Sequence, residues 1–326
     1  MSLHVRSSFV AALLAVAVWA GDTDIFAGAP PSPKGYDTYE AARAAVLKGE
    51  VKAINAAPEI PDSISITKDI PYHLGGDPRQ ALDLFVPKNL DAPAPLLVFI
   101  HGGGWRAGNK GDYLSYNVHF AELGYVTASV GYRLSPANHF PSAVQDVKCA
   151  IAWLRAHAKE NHIDPERVAV IGGSAGGHLA LMAGYADAPE LECPDAPKGV
   201  STRVQAVVNF YGVVDCTVPR AIEAREVQDF IGKPYAEAKE AYEAASPLFH
   251  LRKDDPPTLT FHGTIDELVP IEQADTLHAK LTELGIPNYY DKVVGWPHSM
   301  DVAQPVNDRC RYIMEKFFDA HLQVAK

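Results

Sequence analysis

The chain has 326 residues, 47% of them hydrophobic, so it is long enough to bury one large core. Its formal net charge of −11 at pH 7 disfavours nucleic acid and anionic membrane surfaces as partners. The 9% aromatic content, with charges spread along the whole chain, excludes a mainly disordered protein.

The first twenty residues are organised like a secretory signal. Arg6 precedes an apolar run over 9–20, and small residues follow it, so cleavage after Ala20 or Ala29 fits. The run is about 12 residues long, whereas a membrane-spanning helix needs about 20, so we expect no integral membrane span. We therefore predict that residues 1–20 are a signal peptide and that the protein is exported to the periplasm or the extracellular space.

Residues 21–62 are predicted as a linker with a short N-terminal helix. The stretch 27–35 is rich in Pro, Gly and Ser, and a helical pattern follows at 39–48. The folded domain is then expected over 63–326.

Apolar segments in this domain, many of them β-branched, predict eight strands. They lie at 63–74, 81–86, 96–101, 125–132, 168–171, 204–211, 258–262 and 289–294. Helical patterns separate most of the later strands and close the chain, at 143–159, 176–186, 271–284 and 308–322. The first two strands have no helix between them and predict an antiparallel hairpin. The alternation that follows predicts an α/β fold, a mostly parallel sheet with helices on both faces.

A candidate nucleophile follows the strand at 168–171. The sequence GGSAGG at 172–177 contains G-x-S-x-G and leads into the next predicted helix. A serine on such a tight turn needs small neighbours, here Gly172 and Gly176, and its hydroxyl then projects above the sheet. A glycine-rich turn without chemistry remains the alternative to Ser174 as a nucleophile.

Glycines that could bind an oxyanion follow the strand at 96–101. The loop HGGGW at 101–105 lets backbone N–H groups approach a tetrahedral oxyanion, and Gly102, Gly103 and Ala175 are the predicted donors. A phosphate-binding loop is the alternative, but neither a P-loop lysine nor the Rossmann spacing follows. His101 is expected to brace the loop.

A serine nucleophile needs a base and an orienting carboxylate, and two later strand ends supply them. Asp266 follows the strand at 258–262, and His298 follows the last strand. The order Ser174, Asp266, His298 is the order expected for this kind of sheet. Glu267 is the rival carboxylate, and a helix N-cap is the alternative role of Asp266. The rival bases are His250, His262 and His278.

Aromatic residues and one insertion complete the predicted site. Trp105, Tyr211 and Trp296 follow strand ends, where they would stack on a sugar or cinnamoyl ring or else pack the loops. The segment 215–246 is the candidate lid, with a pair of solvated helices as the alternative.

Four cysteines are too few for a disulfide-framed fold, and their spacing contains no zinc-site pair. Cys193 and Cys216 flank a predicted strand, so in an exported protein we expect that they could close a loop. Cys149 lies in a helical pattern and is expected to be a small buried apolar residue.

Five motifs together carry a resemblance. They are HGGGW at 101–105, GYRLSP at 131–136, GGSAGG at 172–177, HGTIDELVP at 262–270 and GWPH at 295–298. Their combination resembles the HGGG-bearing, hormone-sensitive-lipase-like α/β-hydrolases, and is most similar to the secreted acetylxylan and feruloyl esterase-like branch.

The resemblance runs from about residue 64 to the C-terminus. It implies an α/β-hydrolase fold, ester hydrolysis through an acyl-enzyme and no cofactor, with the residue roles given above. The expected substrates are short-chain acyl esters, small molecules or acetylated or feruloylated carbohydrate. Many such proteins have G-x-G-H around the base, where this chain has WPHS at 296–299.

Two other functions share parts of this pattern. A peptidase of the prolyl-oligopeptidase type has the same triad order, but roughly 60 residues before the hairpin cannot build its propeller. A non-catalytic binding protein on the same fold is expected to lack a triad member or the oxyanion glycines, and this chain has all of them.

Overall fold

The computed structural model describes residues 24–73 and 76–322. Within these residues, eight strands form one sheet in the order β1-β2-β4-β3-β5-β6-β7-β8. In chain order they are β1 (Ile64–Pro71), β2 (Ala81–Pro87), β3 (Ala94–Ile100), β4 (Val126–Val130), β5 (Ile163–Gly173), β6 (Ala206–Phe210), β7 (Thr258–Gly263) and β8 (Asn288–Val293).

Helices connect and cover the strands. They are α1 (Tyr39–Leu47), α2 (Leu114–Glu122), α3 (Ser142–Ala156), α4 (Ala175–Tyr185), α5 (Pro219–Glu223), α6 (Arg225–Ile231), α7 (Lys239–Ala244), α8 (Glu272–Leu284) and α9 (Gln304–His321). Among the described residues, no helix combines the length and apolar character needed to cross a bilayer.

The predicted fold class is confirmed. Strand β2 pairs antiparallel with both β1 and β4, and the remaining pairs are parallel. The sequence did not predict α2, which lies between β3 and β4. Asn117 interrupts its apolar pattern, yet this side chain is fully buried and donates to Ser129 Oγ. A buried polar residue that has a hydrogen-bond partner does not disrupt the helix, but it interrupts the spacing of apolar residues by which a helix is predicted.

Strand β3 lies at the centre of the sheet, and all of its residues are buried. Its side chains alternate between two apolar layers, one on each face. Leu96 and Val98 belong to one layer, whereas Leu97 and Phe99 belong to the other. This double burial explains the continuous apolar run in the sequence, and it places the loop after Ile100 at the carboxyl edge of the sheet.

The disulfide joins a different pair of cysteines from the one expected. Cys149 of α3 bonds to Cys193, with a Cα–Cα distance of 4.8 Å. Cys216 is a free, buried thiol whose backbone N–H donates to Ser246 Oγ. The expectation of a Cys193–Cys216 bond is therefore wrong, and so is that of an unbonded Cys149. The helical pattern indicated burial of Cys149, which suits a bridged cysteine as well as a free one.

Candidate active site

Ser174 lies between β5 and α4 in a strained backbone conformation. Its φ of 57° and ψ of −122° are rare for a residue with a side chain. The residues two positions before and after it must be glycines, because a Cβ on Gly172 would lie 2.2 Å from the carbonyl oxygen of Gly176. A Cβ on Gly176 would lie 2.1 Å from the carbonyl oxygen of Ile100. The turn therefore packs directly against the neighbouring strand end, with the serine at the N-terminus of α4.

The glycine loop after β3 lies beside this turn. A Cβ on Gly102 would come within 2.8 Å of the Gly173 carbonyl oxygen and 3.4 Å of the Ser174 Cβ. Gly103 has a φ of 101°, a conformation that favours glycine. Gly102, Gly103 and Ala175 line one cavity together with Ser174. All three predicted oxyanion donors thus lie around the candidate nucleophile.

His101 is packed as a brace for this loop. Its ring stacks on Tyr132 with centroids 4.2 Å apart, and its Nδ1 lies 2.8 Å from the Gly102 carbonyl oxygen. The Tyr132 hydroxyl donates to the His101 carbonyl oxygen at 2.8 Å. Burial lowers the pKa of His101 to about 4, although the contact with Gly102 opposes the shift. His101 is therefore neutral near pH 7.

Asp266 and His298 meet at the carboxyl edge of the sheet. His298 Nδ1 lies 2.7 Å from Asp266 Oδ2. The other oxygen, Oδ1, accepts the backbone N–H groups of Leu268 and Val269, each at 2.9 Å. One oxygen of Asp266 therefore faces the imidazole and the other holds the turn that follows. The alternative role as a helix N-cap is wrong, because the N-cap of α8 is Ile271.

His262 also contacts this carboxylate. Its Nε2 lies 3.3 Å from Asp266 Oδ2 and 2.8 Å from the Val269 carbonyl oxygen, and its side chain is fully buried. Burial of Asp266 favours the neutral acid, but hydrogen bonds from His262 and His298 outweigh it and lower its pKa to about 2. Asp266 is consequently ionised at neutral pH. From the sequence, His262 was considered only as a rival base. The structure shows instead that it contacts the carboxylate of Asp266.

The other rivals lie elsewhere. Glu267 is exposed, and His250 Nε2 lies 2.8 Å from the Ala244 carbonyl oxygen. His278 is on α8, where its ring packs against Tyr290. None of these three side chains lines the cavity that contains Ser174.

The cavity has a volume of about 1010 Å³ and brings Ser174 and His298 to one space. Part of the candidate lid forms its rim, namely Arg220 and residues 223–227 of α5 and α6. Arg106 links the glycine loop to α6, since its Nε lies 3.3 Å from an Asp229 carboxylate oxygen.

The three predicted stacking residues are placed differently from one another. Trp105 lines the cavity but is only 2% exposed, because its ring stacks on Phe230 with centroids 4.5 Å apart. Trp296 is also 2% exposed and lines a separate cavity of about 220 Å³, so it is not positioned to stack on a substrate of Ser174. Tyr211 lines the main cavity, and its ring lies 4.6 Å from that of His298.

The N-terminal segment holds the loop that carries His298. The Tyr36 N–H donates to the Gly295 carbonyl oxygen at 2.8 Å, before His298, and the Ile54 N–H donates to Val302 at 2.9 Å, after it. Ile54 also lines the main cavity. The described part of the predicted linker therefore packs against the candidate site.

Sequence reasoning missed a buried carboxylate in this loop. Asp301 lines the main cavity and accepts hydrogen bonds from the hydroxyls of Tyr211 and Tyr116. Burial raises its pKa, and these phenols oppose the rise. Its position three residues after His298 was the available signal. In residues 24–73 and 76–322, no three His, Cys, Asp or Glu side chains come together as metal ligands would.

Comparison with known proteins places the chain among esterase-like sequences. The BD-FAE family model matches residues 82–281. A probable carboxylic ester hydrolase, LipM of Mycobacterium tuberculosis, is 36% identical over 68% of this chain and 53% of its own length. Esterase LipC of the same organism is 34% identical over 70% of this chain and 59% of its own length. The chain thus spans little more than half the length of these relatives.

Two solved structures with a similar fold are covered almost completely. A truncated carbohydrate esterase from gut microbiota is 25% identical, with a TM-score of 0.67 over 80% of this chain and 99% of its own. Thermogutta terrifontis esterase 2 phosphonylated by sarin is 26% identical, with a TM-score of 0.66 over 80% and 96%. The chain therefore belongs to the BD-FAE family and has the fold of the α/β-hydrolase esterases.

Proposed function

We propose that the protein is a serine carboxylic ester hydrolase that acts through an acyl-enzyme. The observation that carries the proposal is the single cavity that Ser174, His298 and the glycine loop share, with Asp266 2.7 Å behind the imidazole. These are the parts that acyl transfer requires: a nucleophile, a base, a carboxylate to orient the base, and backbone donors for an oxyanion.

The reaction would proceed in two stages. His298 takes the Ser174 proton as the hydroxyl oxygen attacks the ester carbonyl, and the N–H groups of Gly102, Gly103 and Ala175 bind the oxyanion. His298 then gives this proton to the leaving alcohol. Water, activated by His298, attacks the acyl-enzyme and releases the acid. Asp266, ionised because its pKa is about 2, holds the imidazole in the required tautomer and stabilises its cation.

The relatives support this reaction. LipM and LipC are named as an ester hydrolase and an esterase. Thermogutta terrifontis esterase 2 is described as phosphonylated by sarin, which requires a nucleophilic group in that protein.

The substrates would be short-chain acyl esters, including acetyl or feruloyl groups on carbohydrate. The carbohydrate esterase among the similar structures supports the second part. The signal-like residues 1–20 lie outside the described residues, and they support export to the periplasm or beyond.

Hydrolysis of p-nitrophenyl acetate by the purified protein tests the mechanism. Ser174→Ala should lower kcat by at least about a thousandfold, because removal of the nucleophile leaves only binding and oxyanion stabilisation. A fluorophosphonate probe should label the native protein and not this variant. The matched control is Ser63→Ala, an exposed serine outside the cavity, which should keep both properties. Equal rates for the native protein and Ser174→Ala would refute the assignment, and an unlabelled, inactive native protein would indicate a binding protein.

A substrate panel then tests the class of ester. It compares p-nitrophenyl acetate, butyrate and octanoate with acetylated xylan and methyl ferulate. We expect the acetyl or butyryl ester to be hydrolysed faster than the octanoyl ester. A preference for octanoate would contradict the short-chain assignment.

A further inference from the structure

A carboxylate lies in the cavity wall beside the candidate base. Asp301 is 5% exposed and comes three residues after His298. Its Oδ2 accepts from the Tyr116 hydroxyl at 3.2 Å, and its Oδ1 accepts from the Tyr211 hydroxyl. Within the described part of the chain, no basic side chain forms an ion pair with it. Burial of a carboxylate that forms no ion pair is unfavourable. A carboxylate of this kind in a cavity wall is therefore a candidate functional residue.

This carboxylate has unused acceptor capacity. An ionised carboxyl group offers about four acceptor positions on its two oxygens. Two phenols occupy two of them. A hydrogen-bond donor from a bound molecule therefore has a position to fill at Asp301.

Two phenols of the cavity wall, one of them bonded to Asp301, lie close to the nucleophile. A Cβ placed on Gly173, the residue before Ser174, would lie 2.6 Å from the Tyr113 hydroxyl and 3.2 Å from the Tyr211 hydroxyl. Tyr113, Tyr211 and Asp301 all line the main cavity. The polar wall is therefore within reach of an ester bound at Ser174.

The position of His298 indicates which half of the ester faces this wall. The imidazole must deliver a proton to the leaving alcohol oxygen, so groups packed around the imidazole lie on the alcohol side. The Tyr211 ring is 4.6 Å from the His298 ring, and Asp301 belongs to the same loop as His298.

We propose that Asp301 and Tyr211 form a subsite for a hydroxyl group on the alcohol part of the ester. The enzyme would then prefer esters of polyols or sugars to esters of simple alcohols. A hydroxyl placed here donates to Asp301 and fills an acceptor position that the two phenols leave open. The inference rests on the proposed ester hydrolase function and adds the residues that select the alcohol.

The test compares kcat/KM for glycerol monoacetate and propyl acetate, which have the same acyl group and the same three-carbon alcohol skeleton. We expect the native protein to prefer glycerol monoacetate at least tenfold. Asp301→Asn, which keeps the shape and one acceptor oxygen but removes the charge, should reduce this ratio at least fivefold. Asp308→Asn makes the same chemical change at an exposed carboxylate outside the cavity, so as the matched control it should keep the native ratio.

The ratio of kcat/KM for the two esters distinguishes binding of the alcohol by Asp301 from an effect of Asp301 on the position of His298. If Asp301 only positioned the base, Asp301→Asn would slow both esters equally and leave the ratio unchanged, which would overturn the proposal. Should Asp301→Asn fail to fold, Tyr211→Phe gives the same test, since it removes a phenol that holds the carboxylate but keeps the ring. An unchanged ratio in that variant also overturns the proposal.

Three further outcomes are distinguishable. Propyl glycolate carries its hydroxyl on the acyl part, and a preference for it over glycerol monoacetate would overturn the alcohol-side assignment. Equal hydrolysis of glycerol monoacetate and propyl acetate by the native protein overturns the subsite alone. If the native protein hydrolyses no ester, including p-nitrophenyl acetate, the proposed function itself fails.

Discussion

Asp266 Oδ2 lies 2.7 Å from Nδ1 of His298, while Oδ1 of the same carboxylate accepts two backbone N–H groups. The backbone contacts fix the carboxylate plane, and His262 supports it from a buried position. Orientation of the imidazole thus depends on a carboxylate that cannot rotate freely. A carboxylate held in this way favours one tautomer of His298, with its Nε2 unprotonated and able to take a proton.

Asp266→Asn should lower kcat for p-nitrophenyl acetate by about ten-thousandfold, because an amide that donates to Nδ1 imposes the wrong tautomer. Steady-state kinetics checks this, with circular dichroism to show that the variant is folded. The neighbouring, exposed Glu267→Gln serves as control and should retain native kcat. A loss of less than tenfold in Asp266→Asn would argue that another group orients the base.

Gly176→Ala should destabilise the protein by at least about 2 kcal/mol, because the new methyl group would lie 2.1 Å from the Ile100 carbonyl oxygen. Urea unfolding measures the change. Gly199 has a φ of 83°, a strain that Gly176 does not have, but a Cβ added there meets no atom within 4 Å, so a cost of only about 1 kcal/mol is expected for Gly199→Ala. Similar losses in both variants would show that steric contact is not the cause.

The unfolding free energy should depend on pH through His178. Its Nδ1 accepts from Trp105 Nε1 at 3.2 Å and its Nε2 donates to the Ala245 carbonyl oxygen at 2.7 Å, an arrangement that requires the neutral ring. Burial lowers the pKa of His178 to about 4, although the contact with Ala245 opposes the shift. Because the folded-state pKa lies below the unfolded value of about 6.5, the stabilisation is complete above pH 6.5 and is lost as the pH falls toward 4.

Urea unfolding at pH 7 and pH 5 tests this dependence. His178→Gln should lose about 2 kcal/mol less than the native protein between the two pH values, at about 1.4 kcal/mol per pH unit below 6.5. Other titrating groups are shared by both proteins and cancel in the comparison. Identical losses would contradict a buried neutral His178.

Tyr36→Ala should lower kcat by about ten- to a hundredfold with little change in KM. The Tyr36 ring packs edge-on against Trp296, two residues before His298, with centroids 5.5 Å apart. Loss of this support would displace the base, and small displacements of a catalytic group are costly. Tyr36→Phe keeps the ring and should restore native kcat. An equal loss in both variants would assign the effect to the hydroxyl instead.

Replacement of both Cys149 and Cys193 by Ala should lower the free energy of unfolding by about 4 kcal/mol, the entropic value for a loop of this length. The two residues are 44 positions apart in sequence, and neither lines the main cavity. Kinetic constants of the folded variant should therefore stay native. Denaturant unfolding provides the measurement, with the unbridged Cys216→Ala as control. If the double variant were as stable as the native protein, the bond would contribute nothing to folding.

The sheet was predictable because its strands are locally encoded. A strand buried on both faces, such as β3, gives a continuous apolar run, and the helices after it repeat their apolar residues at the helical period. Helix α2 escaped prediction because Asn117 finds its partner at Ser129, in a strand whose position only the folded sheet defines.

The candidate site was predictable where a motif describes a turn. Ser174 requires particular glycines beside it, so its local sequence marks it. Asp301 belongs to no local sequence motif, because its partners Tyr211 and Tyr116 are 90 and 185 residues away. The Cys149–Cys193 bond was missed for a related reason, since two distant residues without a motif reveal their proximity only in the fold.

The same disulfide makes the number of free thiols depend on whether the chain folded in an oxidising or a reducing compartment. All four cysteines belong either to this bond or to the buried thiols Cys216 and Cys310. A denatured chain from an oxidising compartment should take up two alkyl groups from iodoacetamide, whereas one retained in a reducing cytosol should take up four. Mass spectrometry of the endogenous protein would thus show whether it was exported to an oxidising compartment, without a fusion tag or an assay of its activity.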